Sequence, residues 1–509
     1  MRAMKKYALL AGFTFVLFSC SERAAKKEKT ENPHSTAIEK AILEEEDNFY
    51  YVDFEKYPEM DSNLPIGVFD SGTGGLTVLD ALVQFDEHQN GNQQQGKDGN
   101  PDFEGEKFIY LADQANMPYG NYSSEDKTDL LVEHIIKDTQ FMLSNKYYES
   151  KSATEFNSDK SPIKTLVIAC NTATAYGKEL IDSFIQKSGI ELYVIGVIDA
   201  GARGALQELS KNEDGAIGVM ATVGTVASKG YENTIMRIKD ELAYTGNIQV
   251  YNQGGHGIAE VVDEEPDFID RDAASPRDNY RGPSLGNAEF PIDKTLMDIY
   301  NFDFDHSKML CDSKNTDDCQ VLQINDSENY VRYHLVSLME QIRKDPNALP
   351  LKAIVLGCTH YPYLTSDIEM VLDELYEYQK KGKYIYREFM EKDVAIIDPS
   401  INVAKELYAY LSEKKLFNTK GSMKDSEFYI SVPNQDNAKV KIDENGRFPY
   451  AYKYGRNEGE IQEYVKVVLF SSDNIPAETI ERLSSSIPST FSLIPAFTNT
   501  PKLIGNESN

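Results

Sequence analysis

From Leu64 onward the chain alternates short apolar runs with longer stretches of helical spacing. "PIGVFDSG", "KFIYLADQ", "IKTLVIACNT", "ELYVIGVIDA", "GAIGVMATVGT", "NIQVYNQGG", "LKAIVLGCTH" and "VAIIDPS" each carry several consecutive apolar residues and end in small or polar ones. Uninterrupted apolar runs mark strands buried on both faces, and their alternation with helices predicts α/β architecture with doubly wound parallel sheets. Each strand then delivers its polar end to the carboxyl edge of a sheet, where open α/β folds bind ligands.

Three segments break this rhythm. "GNQQQGKDGNPDFEGE" is a low-complexity surface insertion, and residues from about Glu265 to Tyr330 form a longer one rich in Asp, Asn and Pro. After about Phe417, "EFYISVPN" and "EYVKVVLFSS" read as strands and "PAETIERLSSS" as a helix, so residues 417–509 are expected to form a small β-rich appendage.

The N-terminus has its own grammar. Arg2, Lys5 and Lys6 precede an apolar stretch from Tyr7 to Phe18, too short to span a bilayer comfortably, as in an export signal. The stretch closes on "LFSC", which resembles the lipobox of a bacterial lipoprotein. The resemblance implies that residues 1–20 are a signal, that Cys20 is lipidated, and that residues 21–63 are a polar tether to a membrane. A plain signal peptide with an incidental cysteine would equally place the body outside the cytoplasm; an unused signal would leave it inside.

Length and charge narrow the function. The 509 residues suffice for two or more domains, and 82 Asp and Glu against 52 Lys and Arg give a formal charge of −30. That balance argues against nucleic acid or anionic lipid headgroups as partners.

Five cysteines are spread over the chain. Beyond Cys20, Cys311 and Cys319 share one polar stretch, and an oxidising compartment favours a disulfide between them. Together with His306 they match no recognised zinc spacing, so no metal is expected. Cys170 and Cys358 differ in kind. "TLVIACNTATA" and "KAIVLGCTHYP" share one pattern: an apolar run, a small residue, Cys, then two polar groups. A packing cysteine belongs inside the apolar run, whereas at its polar end the N–H groups of a following helix can tune a thiol. Two matching thiols facing one carbon suit removal of a proton from one face and its return to the other.

In order along residues 65–404, "IGVFDSGTGGLTVL", "FIYLADQANMPYGNYS", "LVIACNTATA", "GVMATVGTVASKGY", "IVLGCTHYPYL" and "IIDPS" resemble the glutamate racemases of the cofactor-independent aspartate/glutamate racemase superfamily. The resemblance implies two α/β domains, residues 64–195 with 394–416 and residues 196–393, closing over an amino acid without cofactor. It implies that Cys170 and Cys358 are the acid and base, assisted by Asp70 and His360. Ser71, Pro118, Tyr119, Gly120, Asn171, Thr172, Thr222, Thr225 and Thr359 match positions that line the site or hold the substrate. A homodimer stays open.

One family element is altered. Where relatives carry Cys-Pro followed by Leu-Val-Glu, this chain has "NQGGHGIAEVVDEEP": Gly255 and His256 replace Cys-Pro, and the acid falls on Asp263, with Glu260 and Glu264 as alternatives. The expected activity is racemisation of an acidic amino acid, glutamate foremost. Two rivals remain: a ligand-binding envelope lipoprotein that keeps the fold without turnover, and an isomerase or decarboxylase acting on another small carboxylate.

Overall fold

Eight of the apolar runs become parallel strands whose ends carry the polar residues that follow them. In chain order the strands are β1 (Ile66–Asp70), β2 (Phe108–Ala112), β3 (Thr165–Ile168), β4 (Tyr193–Gly196), β5 (Gly215–Ala221), β6 (Ile248–Gly254), β7 (Met309–Cys311), β8 (Leu322–Ile324), β9 (Leu351–Gly357), β10 (Gln379–Lys380), β11 (Lys383–Tyr384), β12 (Met390–Ile397), β13 (Glu427–Pro433) and β14 (Val465–Leu469). The computed structural model describes residues 36–495 except 263, 264 and 266, so the export signal, Cys20, Asp263 and Glu264 lie outside the described residues.

Two sheets organise the chain. The first runs β14-β13-β2-β1-β3-β4 and the second β12-β9-β5-β6. All pairings in the second sheet are parallel, as are those among β1 to β4. Every residue of β1, β2, β3 and β5 is buried, which is why these strands read as continuous apolar runs. The helices Val197–Gln207 and Pro399–Lys414 pack against each other, and one apolar core joins Ile66, Val68 and Val167 of the first sheet to Ile217, Val219 and Val355 of the second. Among the described residues no helix is long and apolar enough to cross a membrane.

Several expected boundaries move. The C-terminal segment is not an appendage of its own. Strand β13 pairs in parallel with β2, from Glu427 opposite Ile109 to Ile430 opposite Ala112, and β14 completes the edge antiparallel to β13. The physical reason is the free edge β2 would otherwise expose; burying Phe428, Tyr429 and Ile430 covers it. Strand β12 lies wholly in the second sheet, so a boundary at residue 394 would cut a strand. The stretch expected as tether is folded from Ala37: Ile38 and Ile42 are buried against the helix Thr128–Leu143, and Lys187 Nζ lies 2.9 Å from Glu39 Oε1.

The long insertion is an ordered excursion on the second sheet. Its β7–β8 hairpin carries the Cys311–Cys319 disulfide, with a Cα–Cα distance of 5.7 Å. Phe268, Ile269, Ile292, Leu322 and Ile324 are buried within it. It ends where Asp326 caps the helix Ser327–Lys344 by accepting a hydrogen bond from the Glu328 N–H.

Candidate active site

Four strands, β1 and β3 of the first sheet and β5 and β9 of the second, end at one place. Asp70 is the last residue of β1, Cys170 follows β3, Thr222 follows β5 and Cys358 follows β9. Asp70, Gly74, Cys170, Asn171, Thr172, Thr222, Thr225, Cys358 and Thr359 together line a cleft of ≈ 180 Å³. The sheets come close here: a Cβ placed on Gly74 would sit 4.0 Å from Thr359 Oγ1.

Cys170 is the N-cap of the helix Asn171–Ser188, and its sulfur accepts a hydrogen bond from the Ala173 N–H at 3.4 Å. Its thiol also reaches Ser71 Oγ at 3.6 Å. Asp70 is buried; its Oδ2 accepts from the N–H groups of Gly72 at 3.0 Å and Gly75 at 2.9 Å, and its carboxyl is in hydrogen-bond contact with the Cys170 thiol. Burial raises the Asp70 carboxyl above its usual range. Burial first, and the Asp70 charge second, push the Cys170 thiol up to about 12. At neutral pH the thiol therefore holds its proton beside a group placed to receive it.

The second corner is built differently. Cys358 is 7% exposed, against 6% for Cys170, and His360 Nδ1 stands 3.7 Å from its sulfur and 3.5 Å from Thr359 Oγ1. On the facing turn, Thr222 Oγ1 donates to Thr225 Oγ1 at 3.0 Å and accepts from the Thr225 N–H at 3.3 Å. Hydroxyls, the Asn171 amide and turn N–H groups are thus collected around two thiols. Such a set can meet negative charge developing at a carboxylate or an α-carbon.

Beside the cleft lies a wider recess of ≈ 480 Å³ that shares Gly74 and Thr359 with it and also touches His360, Val262 and Arg482. Arg482 belongs to the helix Ala477–Ser486, so the C-terminal segment reaches the mouth of the site.

Pro118, Tyr119 and Gly120 depart from expectation. Pro118 and Gly120 are exposed and none of the three lines the cleft. The Tyr119 hydroxyl points into the protein, 2.5 Å from Asp113 Oδ2 and 2.6 Å from Asp138 Oδ2. Burial and the Asp113 charge push the Asp138 carboxyl well above its usual range. The phenol O–H is thus placed to donate to either of two buried carboxylates, Asp113 or Asp138, which holds it away from the cleft.

The altered family element has a packing explanation. A Cβ at Gly255 would stand 2.1 Å from Tyr361 Oη, and that hydroxyl donates to the Gly255 carbonyl at 3.1 Å. Any larger residue must displace Tyr361. His256 turns from the cleft, its ring stacked on Phe290 at 4.0 Å and its Nε2 2.9 Å from the Arg281 carbonyl oxygen, so it ties down the insertion. Glu260 lies on the helix Ile258–Val262 and is absent from the cleft lining. Gly255→Ala should lower the thermal midpoint, at a cost of about 1–3 kcal/mol for overpacking, while Gly254→Ala, whose nearest neighbour would be 3.4 Å away, should cost less.

Sequence reasoning passed over Gly357 and Tyr231. Gly357 lines the cleft beside Cys358, and the buried Tyr231 hydroxyl donates to Asn171 Oδ1 at 3.1 Å. Tyr231 closes the run "GTVASKGY", where the threonines drew attention; the signal was an aromatic residue opening a helix directly after a polar turn.

Comparison with known proteins identifies the chain's relatives by sequence. The chain is 30% identical over 375 residues to the glutamate racemase of Thermoanaerobacter pseudethanolicus, a match spanning 73% of this chain and 89% of that relative. It is 29% identical over 370 residues to the glutamate racemase of Thermoanaerobacter sp., spanning 72% and 88%. A crystal structure of a glutamate racemase isoform from Bacillus anthracis aligns with a TM-score of 0.39 at 22% identity, covering 72% of this chain and 87% of that one. No family model matches. On the extent and identity of the first of these matches, the chain belongs to the glutamate racemase family.

Proposed function

We propose that the protein interconverts L- and D-glutamate by proton transfer between two thiols, Cys170 on one face of the α-carbon and Cys358 on the other. The observation that carries this reading is that both thiols, from separate sheets, line one cleft. The relatives are glutamate racemases, which supports it. The thiolate takes the α-proton and the opposite S–H returns one, so each turnover leaves the negative charge on the other sulfur. Asp70 would receive the proton of Cys170 and His360 that of Cys358. Asn171, Thr172, Thr222, Thr225 and Thr359 would bind the carboxylates, and Asp263 the amino group. A cleft that excludes water strengthens each of these contacts.

The test is solvent exchange. In D₂O, each pure enantiomer of glutamate should acquire α-deuterium while its optical rotation decays to zero. Absence of exchange with every acidic amino acid would overturn the reading, and tight calorimetric binding without exchange would instead select a non-catalytic binding protein.

We also propose that the protein is exported and held at the membrane through lipid on Cys20. The LFSC sequence and the Cys311–Cys319 disulfide, a bond that persists in oxidising compartments, support this. Labelled palmitate should be incorporated by the wild type and not by Cys20→Ser, which should appear in the soluble fraction. Equal membrane association of both would sink the proposal.

A further inference from the structure

Tyr231 joins the two corners. It is the second residue of the helix Gly230–Glu241 and is 1% exposed. Its hydroxyl donates to Asn171, the residue after Cys170. Its ring lies against Gly357, the residue before Cys358: a Cβ at Gly357 would meet Tyr231 Cε2 at 2.8 Å. On the other edge of the ring, a Cβ at Gly201 would meet Cε1 at 3.3 Å. One stiff side chain, with only two rotatable bonds and no room to shift, is thus wedged between the neighbours of both thiols. It also fixes the Asn171 amide: with Oδ1 engaged, Nδ2 is the group left to donate in the cleft.

We infer that Tyr231 is a positioning residue that sets the separation of the two thiols across the substrate and aims the Asn171 amide at a substrate carboxylate. This rests on the two-thiol reading of the site. Inversion needs both sulfurs within reach of one carbon at once, from opposite faces. Exchange by a single thiol needs only one. Reactive distances are about 3–3.5 Å, and a displacement of about 1 Å can cost about 10²-fold in rate. A spacer should therefore control inversion far more than exchange.

The experiment compares α-deuterium wash-in with inversion, starting from each enantiomer, in wild type, Tyr231→Phe and Tyr231→Leu. Tyr231→Leu removes the wedge, and the ratio of exchange to inversion should rise at least about tenfold. Tyr231→Phe keeps the ring and loses the Asn171 bond; KM should rise about tenfold, the worth of one hydrogen bond of about 1.4 kcal/mol, with the ratio unchanged. A general loss of structure would lower exchange and inversion in parallel, and that outcome for Tyr231→Leu overturns the inference. Should Tyr231→Leu fail to fold, Tyr231→Met removes the ring with less loss of volume and is read by the same ratio, an unchanged ratio overturning the inference; a wild-type KM for Tyr231→Phe overturns the part that concerns Asn171. A wild type that exchanges no α-proton defeats the two-thiol reading itself, which separates the two failures.

Discussion

Cys170→Ser and Cys358→Ser should each lower racemisation of glutamate by about 10³-fold or more, within the range expected for removing one general acid or base. Neither change should unfold the protein. Serine is close in size to cysteine and a better N-cap, so at Cys170 it can keep the bond from the Ala173 N–H. The informative readout is exchange without inversion. Each variant retains one thiol, and that thiol faces one side of the α-carbon. Cys170→Ser should then wash deuterium into only one enantiomer, and Cys358→Ser only into the other, followed by proton NMR of the α-position in D₂O. A variant racemising within a few-fold of wild type would remove its cysteine from the mechanism and leave a single-base route; loss of exchange from both enantiomers in both variants would mean that neither thiol moves the α-proton without the other.

The two corners were legible because they are local. A strand buried on both faces needs an unbroken apolar run, and the polar residue that ends it marks the carboxyl edge of the sheet; Asp70, Cys170, Thr222 and Cys358 all follow that rule. What sequence could not supply was pairing. Nothing in "EFYISVPN" specifies β2 as its partner, since the edge it covers lies more than 300 residues earlier; the register of Phe428 opposite Tyr110 exists only in the fold. Tyr119 illustrates a second limit. Its place in a family motif suggested the cleft, yet the hydroxyl is taken by Asp113 and Asp138, and Asp138 lies on a helix that carries no recognised motif. Tyr231 shows the reverse: a residue inside a quoted motif whose contacts, to Asn171 and beside Gly357, come from two sheets at once. Side chains that bridge lobes leave no periodic trace.

Asp70→Asn should separate electrostatics from proton transfer at Cys170. The bonds that hold the turn survive the change, because both the Gly72 and Gly75 N–H groups bind the same oxygen, Oδ2, and an amide oxygen can accept both. What disappears is a negative charge beside the thiol and an acceptor for its proton. Burial and that charge together push the thiol up to about 12, so removing the charge moves it down. Each unit of decrease gives about ten times more thiolate at a fixed pH well below the midpoint. In a Cys358→Ser background, where Cys311 and Cys319 are tied up in their disulfide, alkylation of Cys170 at pH 8 should therefore be faster with Asn than with Asp at position 70. Racemisation should move the opposite way, falling about 10²-fold in the otherwise wild-type chain, because the proton of Cys170 loses its receiver. Where Cys170 acts as base, wild-type kcat/KM should climb with pH across the alkaline range, and the Asn variant should reach its plateau at lower pH and at a lower rate. Faster alkylation with undiminished racemisation would reduce Asp70 to an electrostatic burden. Unchanged alkylation and unchanged racemisation would reduce it to a turn cap. Only the opposed pair of changes, a freer thiol and a slower enzyme, identifies Asp70 as the group that passes the proton.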